Sequence, residues 1–240
     1  MDWLSLVEEN CGIKINSRER LFSRRNEVFL IEGIGKKTQS VKYVVKIYCQ
    51  GDIFREPFIF RELASAGVKV PRVVWHNENI MVTEFISGTL LVDLMGNGDP
   101  RNQPPPWLDI LARWFYRLHS VKRSGGYYLS MPDLNLRNFI FNGQDFFGLD
   151  FESLVFYPPE RDLGGLAAFI LNSDPMFEPW KFGTVRHLIK VYGDMREIDK
   201  KAIEHYFYEE METAAQRRKG QREYLREKIK EMKLCQDTIF

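Results

Sequence analysis

The chain has 240 residues, of which 44% are hydrophobic, 14% aromatic and 28% charged, and its formal net charge at pH 7 is +1. This composition can build a full hydrophobic core, as one large domain or as two lobes. The near-neutral charge and the lack of a basic aromatic face argue against a nucleic-acid-binding module.

The N-terminal residues do not predict a targeting signal. The start MDWLSLVEEN carries acids where a signal peptide needs a basic region and an apolar core. No apolar run reaches the length of a membrane span. Cys11, Cys49 and Cys235 are widely spaced and odd in number, which is typical of reduced thiols. We therefore expect a cytoplasmic protein.

Residues 12–49 alternate apolar and polar positions in three bursts, which predict three β-strands. Residues 23–26 (SRRN) and 34–37 (IGKK) are predicted to form the turns between them. The third burst, YVVKIY, is interrupted by Lys46. A lysine at such a position either faces solvent or has a function.

Residues 54–66 approximate helical spacing, and Gly67 follows as a stop. Pro57 fits only in the first turn of a helix, so the helix is predicted to start near Arg55 or Glu56. Residues 72–76 and 79–84 give two more strands. The order predicts five strands, with one helix after the third.

The second half of the chain is predicted to be mainly helical. Residues 97–106 form a Pro/Gly-rich surface loop. The next fifteen residues, WLDILARWFYRLHSV, form a strongly amphipathic helix. His119, at its end, is interpreted as a packing or capping residue. Residues 184–233 are helical by periodicity and end in a Lys/Arg-rich stretch.

Residues 131–152 hold the polar pattern from which a function can be inferred. Asp133 is followed five residues later by Asn138, then by two apolar runs around an Asn-Gly turn, and then by Asp150. This order predicts a loop that leads into a β-hairpin. Because a hairpin folds the chain back, the three polar side chains can meet at one end of it. Two carboxylates and a carboxamide suit a Mg-nucleotide site.

The spacing D-x-x-x-x-N, followed by a strand pair and Asp150-Phe151-Glu152, resembles the catalytic loop and metal-binding segment of the protein-kinase-like superfamily. The D-F-E wording resembles its small-molecule branch, although Met131 stands where the family has a loop-orienting histidine. The segment after Asp150 lacks an A-P-E triplet, which disfavours a protein substrate. Asp162, at a predicted helix start, is expected to anchor the loop through backbone N–H groups.

The resemblance implies roles for two further residues. Lys46 would pair with the α- and β-phosphates of ATP. Glu56 would hold Lys46 in position, because the run from Arg55 to Pro71 (R-E-x6-L-x3-G-V-x-V-P) resembles small-molecule kinases. Glu62 is the second choice for this role, and the alternative is that both glutamates are solvated helix charges.

The nucleotide-binding segment is also implied by the resemblance. Backbone groups near Glu84 and Ile86 would bind the adenine edge, with Thr83 at the back of the pocket. The turn that covers the phosphates has no glycine. Arg24 or Arg25 would supply charge to the phosphates instead, although an exposed arginine on a turn is the common alternative.

The fold implied is a two-lobed α+β protein-kinase-like fold. Residues 1–84 would form an N-lobe with a five-stranded antiparallel sheet plus one helix, and residues 85–240 a mainly helical C-lobe. The function implied is an ATP-dependent phosphotransferase acting on a hydroxyl of a sugar-like small molecule or glycolipid. Asp133 would accept the hydroxyl proton, and Asn138 and Asp150 would hold Mg²⁺.

Two branches of the superfamily fit. D-L-N-x-x-N at residues 133–138, H-L-I-x-x-Y at residues 187–192 and the Arg-rich C-terminal helix resemble lipopolysaccharide core-sugar kinases. That branch implies a glycolipid acceptor and peripheral contact of the basic helix with an anionic inner membrane face; a solvated outer helix is the alternative. Aminoglycoside phosphotransferases fit the core motifs equally well.

The alternative function is that of a pseudokinase, which binds a nucleotide or a partner without catalysis. Met131 and the glycine-free turn favour the pseudokinase, and the intact set of Asp133, Asn138, Asp150 and Lys46 opposes it.

Overall fold

The computed structural model describes residues 2–36, 38–49, 55–96, 104–121, 125, 127–152 and 155–234. Most of the predicted loop at 97–106, Lys37 of the second predicted turn, and Cys235 lie outside the described residues. The chain forms two compact units, Met1–Ser87 with Phe151–Ser153, and Gly88–Asp150 with Leu154–Phe240. The sequence-based boundary between residues 84 and 85 stays a prediction.

The first unit contains a five-stranded antiparallel sheet, as predicted from the alternating pattern. Its spatial order is β1-β2-β3-β5-β4, so the fifth strand pairs with the third. The strands are β1 (Ile13–Leu21), β2 (Glu27–Gly35), β3 (Ser40–Ile47), β4 (Val73–His76) and β5 (Ile80–Glu84). Their inward side chains form an aliphatic core that includes Ile31, Val45 and Val82.

A helix that the pattern analysis did not predict, α1 (Trp3–Cys11), precedes the sheet and adds Val7 to its core. The Asp2 carboxylate caps it by accepting hydrogen bonds from the backbone N–H groups of Leu4 (2.7 Å) and Ser5 (3.1 Å). Gly12, with φ +63°, ends it in the left-handed conformation. The acidic start of the chain is therefore a capped helix.

Helix α2 (Glu56–Ser65) begins where Pro57 predicts it. A proline in the first turn costs nothing, because the first N–H groups of a helix have no intrahelical acceptor. The inward face of α2 buries Ile59, Phe60 and Leu63. Phe60 meets the ring of Phe151 edge to face, with centroids 5.8 Å apart.

The second unit is mainly helical, as predicted. Its helices are α3 (Leu91–Gly96), α4 (Trp107–Leu118), α5 (Pro159–Leu171), α6 (Pro179–Met195), α7 (Lys200–Arg217) and α8 (Arg222–Leu234). Its short strands are β6 (Thr89–Leu90), β7 (Tyr128–Ser130), β8 (Phe139–Phe141), β9 (Phe146–Gly148) and β10 (Val155–Tyr157). Among the described residues, no helix has both the length and the apolar character needed to cross a bilayer.

Residues 184–233 are mainly helical, as predicted, and comprise the end of α6 and the helices α7 and α8. A 3₁₀ turn at Lys219–Gln221 separates α7 from α8. Arg218 leaves the helical conformation (φ −99°, ψ 75°), and its guanidinium donates to the backbone oxygen of Asn172 at 2.8 Å. This contact holds the break against the end of α5.

Helices α5 and α7 approach each other closely at Gly164. A Cβ atom there would lie 2.4 Å from the backbone oxygen of Ile203 and 2.7 Å from the backbone nitrogen of Phe207. Only glycine fits at this distance. Gly164 in RDLGGLAAFI thus serves the helix contact, whereas the neighbouring Gly165 faces the side chain of Leu134.

A buried carboxylate, Asp162, fixes the start of the polar loop. Its Oδ2 accepts from the backbone N–H of Met131 at 2.7 Å and lies 3.1 Å from Nε2 of His119. Arg161 donates to the backbone oxygen of Met131, also at 2.7 Å. Both Asp162 and His119 are fully buried. The backbone of Met131 is therefore held at both of its polar groups, whatever its side chain.

Replacing Asp162 with alanine leaves the buried N–H of Met131 and the His119 ring without their acceptor. It also removes the ion pair of Asp162 with Arg161, whose atoms lie 3.1 Å apart. We expect the free energy of unfolding to fall by about 3–5 kcal/mol, the usual cost of removing one partner of a buried ion pair. Chemical denaturation measures it. Glu209→Ala, at an exposed carboxylate on α7, is the control and should change stability by less than about 0.5 kcal/mol.

Candidate active site

The predicted hairpin is present and consists of β8 and β9. Asn142 forms its turn by accepting hydrogen bonds at Oδ1 from the N–H groups of Gln144 (2.9 Å) and Asp145 (2.8 Å). Gly143 follows with φ +96°, a conformation that favours glycine. The Asn-Gly signal in the sequence thus sets the register of the two strands.

The open end of this hairpin brings polar residues together. Phe139 pairs with Gly148, and the N–H of Leu149 donates to the backbone oxygen of Asn138 at 2.9 Å. Asn138 and Asp150 therefore flank the same end of the strand pair. The Asn138 side chain reaches back to the loop and donates from Nδ2 to the backbone oxygen of Asp133 at 3.1 Å.

Asp133 presents an exposed carboxylate on this loop. Its Oδ1 accepts from the backbone N–H of Asn135 at 3.0 Å, which fixes the direction of the side chain. An oriented carboxylate in contact with solvent can accept a proton from a nearby hydroxyl.

Hard oxygen ligands that would suit Mg²⁺ are available at the hairpin end. Among the described residues, Oδ1 of Asn138 has no hydrogen-bond donor, because the amide nitrogen makes the contact with the loop. The Asp150 carboxylate follows β9 and is half-buried. The carboxamide oxygen of Asn138 and the carboxylate of Asp150 are therefore candidate ligands.

In the first unit, Lys46 on β3 forms an ion pair with Glu56 on α2. Lys46 Nζ lies 2.8 Å from Glu56 Oε2, and the two side chains are 13% and 1% exposed. Glu56 also accepts hydrogen bonds from the hydroxyl of Tyr48 and, at 3.1 Å, from the backbone N–H of Phe151. Glu62, the second choice from the sequence, is exposed on the outer face of α2.

A second carboxylate, Glu152, also contacts the lysine. Its Oε1 lies 3.0 Å from Lys46 Nζ and accepts a hydrogen bond from Nδ2 of Asn26 at 2.6 Å. Arg25 lies 3.7 Å from the other oxygen. Partial burial raises the pKa of Glu152, but Lys46, Asn26 and Arg25 outweigh it, so the pKa is lowered from its ordinary value. The carboxylate thus stays ionised beside Lys46.

The contact of Glu152 with Lys46 and Asn26 was not predicted. Glu152 is separated from Asn26 by 126 positions, and no local pattern links the two residues. One chemical signal was available in the sequence. Glu152, the third residue of D-F-E, places a negative charge beside the proposed phosphate site, and a cation such as Lys46 would be expected to pair with it.

The residues predicted to bind the adenine differ in burial and in the hydrogen bonds that they already make. Thr83 is buried in β5, and Ile86 lies beyond its end. The backbone N–H of Glu84 donates to the oxygen of Arg72 at 3.0 Å, so that group is already used and is not free for an adenine base.

In the turn that follows β1, Arg24 is exposed, and Arg25 is exposed beside Glu152. Either guanidinium is accessible to a phosphate.

Comparison with known proteins finds likeness at the level of structure. No protein-family model matches the sequence, and no curated protein sequence matches it. The aminoglycoside phosphotransferase APH(2'')-Ib with ADP bound superposes with a TM-score of 0.64 at 16% identity, covering 96% of each chain. A macrolide 2'-phosphotransferase from Brachybacterium faecium gives 0.63 at 12% identity, covering 88% of this chain and 89% of that one.

A choline kinase from Cryptosporidium parvum gives a TM-score of 0.55 at 12% identity, covering 87% of this chain and 86% of that one. The chain has the protein-kinase-like fold. The likeness is to small-molecule kinases of that fold, which confirms the fold predicted from D-x-x-x-x-N and D-F-E. At 12–16% identity it establishes the kinase-like architecture alone.

Removing the Glu56 carboxylate should destabilise the kinase-like sheet and helix. Glu56→Ala removes an acceptor shared by Lys46, the Tyr48 hydroxyl and the Phe151 N–H, while Lys46 keeps its contact with Glu152. We expect a cost of about 1–3 kcal/mol of unfolding free energy for each buried donor affected. Glu62→Ala, six residues along the same helix, should cost less than about 0.5 kcal/mol. Equal losses in the two variants, measured by denaturant titration, would contradict the central position of Glu56.

Proposed function

We propose that this chain is an ATP-dependent phosphotransferase that moves the γ-phosphate of ATP to a hydroxyl group of a small molecule. The observation that carries the proposal is the ion pair of Lys46 with the buried Glu56. A lysine held by a buried carboxylate presents its charge in a fixed position, and kinases use such a lysine to bind the phosphates.

The bound ligands of the similar structures support this choice. Two similar aminoglycoside phosphotransferases were solved with a nucleotide and an antibiotic together, one with ATP and streptomycin and one with ADP and streptomycin. An ethanolamine kinase also has this fold. These proteins act on antibiotics or amino alcohols, so a small-molecule acceptor is the common feature.

The proposed transfer step uses the carboxylate of Asp133 as the proton acceptor. Asp133 accepts the proton of the acceptor hydroxyl while that oxygen forms a bond to the γ-phosphorus. The bond from the γ-phosphorus to the β–γ bridging oxygen breaks, and ADP leaves. Because this reaction depends mainly on positioning and charge neutralisation, it needs few side chains.

Magnesium is the expected cofactor. Asn138 and Asp150 would hold it, and the ion would neutralise charge on the nucleotide phosphates. Arg24 or Arg25 would add charge at the turn, and Thr83, Glu84 and Ile86 would form the adenine side, with Ile86 supplying a backbone group in place of the N–H that Glu84 has already used.

The acceptor proposed is a sugar-like molecule or glycolipid, with lipopolysaccharide core sugars as the specific case. Helix α8 supports peripheral membrane contact only in part. Lys230 is exposed, but Lys228 pairs with Glu231 at 2.7 Å and Arg226 lies 4.0 Å from Glu212. Vesicle binding of the protein on anionic and neutral lipid tests this contact.

Lys46→Met should abolish the thermal stabilisation that Mg-ATP gives, because the lysine that binds the phosphates is lost. Lys42→Met is the matched control on the same strand. Lys42 forms an exposed ion pair with Glu32, so its loss should leave the ATP-induced shift unchanged. A similar shift in the wild type and in Lys46→Met would remove the basis of the proposal.

The two aspartates are expected to separate binding from chemistry. Asp133→Asn should keep Mg-ATP binding and lower the rate of transfer by about 10²–10⁴, the usual contribution of a general base. Asp150→Asn should lose the magnesium dependence of ATP binding. Asp145→Asn, at the turn end of the hairpin, is the control. Labelled-ATP transfer to an acceptor panel and calorimetric titration measure the two properties.

The pseudokinase alternative makes a different prediction for the same assays. The glycine-free turn favours it, because side chains on the turn reduce the space for phosphates. The pairing of Glu152 with Lys46 also favours it, because Glu152 offsets the positive charge of Lys46. Nucleotide binding without transfer to any acceptor would support it. Transfer that depends on Asp133 would exclude it.

A further inference from the structure

A polar cleft of about 370 Å³ lies in the second unit, beside the loop that carries Asp133. Asn135 and Arg137 of that loop line one side of it. The end of α5, with Asn172, and the C-terminal end of α7, with Arg218, line the other. The backbone N–H of Asn135 donates to Asp133 Oδ1, so the cleft and the proposed base share one short segment.

The cations of this cleft lack anionic partners. Arg137 is exposed, and no carboxylate pairs with its guanidinium among the described residues. Arg218 is half-buried and donates to neutral groups: the backbone oxygen of Asn172 at 2.8 Å, its Oδ1 at 2.9 Å, and Met176 Sδ at 3.9 Å. Two arginines thus face one cleft without being neutralised by the protein.

The surroundings of Arg218 disfavour its charge, mainly through burial. Burial first, and the neighbouring Arg217 second, lower the pKa of the Arg218 guanidinium from its ordinary value, against a smaller opposite effect of Glu210. An arginine nevertheless stays protonated at neutral pH. An anion bound in the cleft would relieve both costs.

The carboxylate in the described lining is that of Asp174, and its charge acts on the ammonium group of Lys181. Lys181 is fully buried and donates from Nζ to the backbone oxygen and the hydroxyl of Ser173, both at 2.7 Å. Burial lowers the pKa of Lys181 to about 8, so it is mostly protonated at pH 7. Its charge opposes that of Asp174.

We infer that this cleft binds the acceptor and that the acceptor carries an oxyanion, a phosphate or a carboxylate, beside the hydroxyl that is phosphorylated. Two guanidiniums recognise oxyanions through paired charged hydrogen bonds, and the amides of Asn135 and Gln221 suit the remaining hydroxyls. An acceptor with several ammonium groups would meet arginines where it needs carboxylates. This inference rests on the proposed phosphotransferase function.

The test compares four sugars that differ in charge: glucose 6-phosphate, glucuronate, glucose and glucosamine. Transfer from labelled ATP gives kcat/KM, and calorimetry of each sugar with the protein gives binding without chemistry. We expect glucose 6-phosphate or glucuronate to exceed glucose and glucosamine by a factor of about ten or more in both measurements, as charged hydrogen bonds of this type provide. The better anionic sugar distinguishes a phosphate from a carboxylate site.

Variants identify the site. Arg137→Gln should lower binding and kcat/KM about tenfold or more for the anionic sugar, and by a smaller factor for glucose, so that the preference for the anionic sugar falls. Since Arg137 is exposed and has no side-chain partner among the described residues, this variant should fold. Arg218→Lys keeps the charge but loses the paired geometry, and should show a smaller loss of the same kind. Arg186→Gln, at an exposed arginine on α6, is the control.

The outcomes separate the two claims. Anionic sugars that bind through Arg137 but receive no phosphate would overturn the proposed function and leave the binding site standing. Transfer to neutral or cationic sugars at a rate that Arg137→Gln does not change would leave the proposed function standing and overturn the inference. The absence of binding by both anionic sugars at millimolar concentration would also overturn it.

Discussion

The first unit depends on one interaction, the ion pair between Lys46 and Glu56. Removing a carboxylate from water is costly, and the cost is offset only when every oxygen finds a donor. Glu56 meets this condition, because a lysine, a tyrosine hydroxyl and the backbone N–H of Phe151 all donate to it. The pair joins β3 to α2 and at the same time fixes an ammonium group in position. Stability and the proposed phosphate binding thus come from the same contact.

The second unit solves a different problem, the placement of an exposed loop. This loop is anchored through its backbone rather than through a side chain. Asp162 accepts a hydrogen bond from the N–H of Met131, and Arg161 donates one to its backbone oxygen. The loop therefore keeps its anchor although methionine stands where kinases resembling this chain have histidine. The Met131 side chain is fully buried and contributes to the core instead. The substitution is consistent with an ordered loop.

Local patterns predicted much of this structure. Period-two alternation gave the five strands, Pro57 gave the start of α2, and Asn142-Gly143 gave the hairpin whose end holds Asn138 and Asp150. Helix α1 was missed because nine residues give little periodicity, although its caps were visible in the sequence. The contacts of Glu152 and the cleft between the Asp133 loop and Arg218 join segments far apart in the chain. Such pairs follow from tertiary packing, which no local pattern contains.

We propose that Lys46, held by Glu56, binds the phosphates of the nucleotide. Calorimetric titration of adenosine, ADP and ATP into the wild type and into Lys46→Met tests this role. Lys46→Met should lose affinity for ADP and ATP and keep the wild-type affinity for adenosine, since the lysine would contact only phosphates. An equal loss for all three ligands, or no loss for any, would rule this role out.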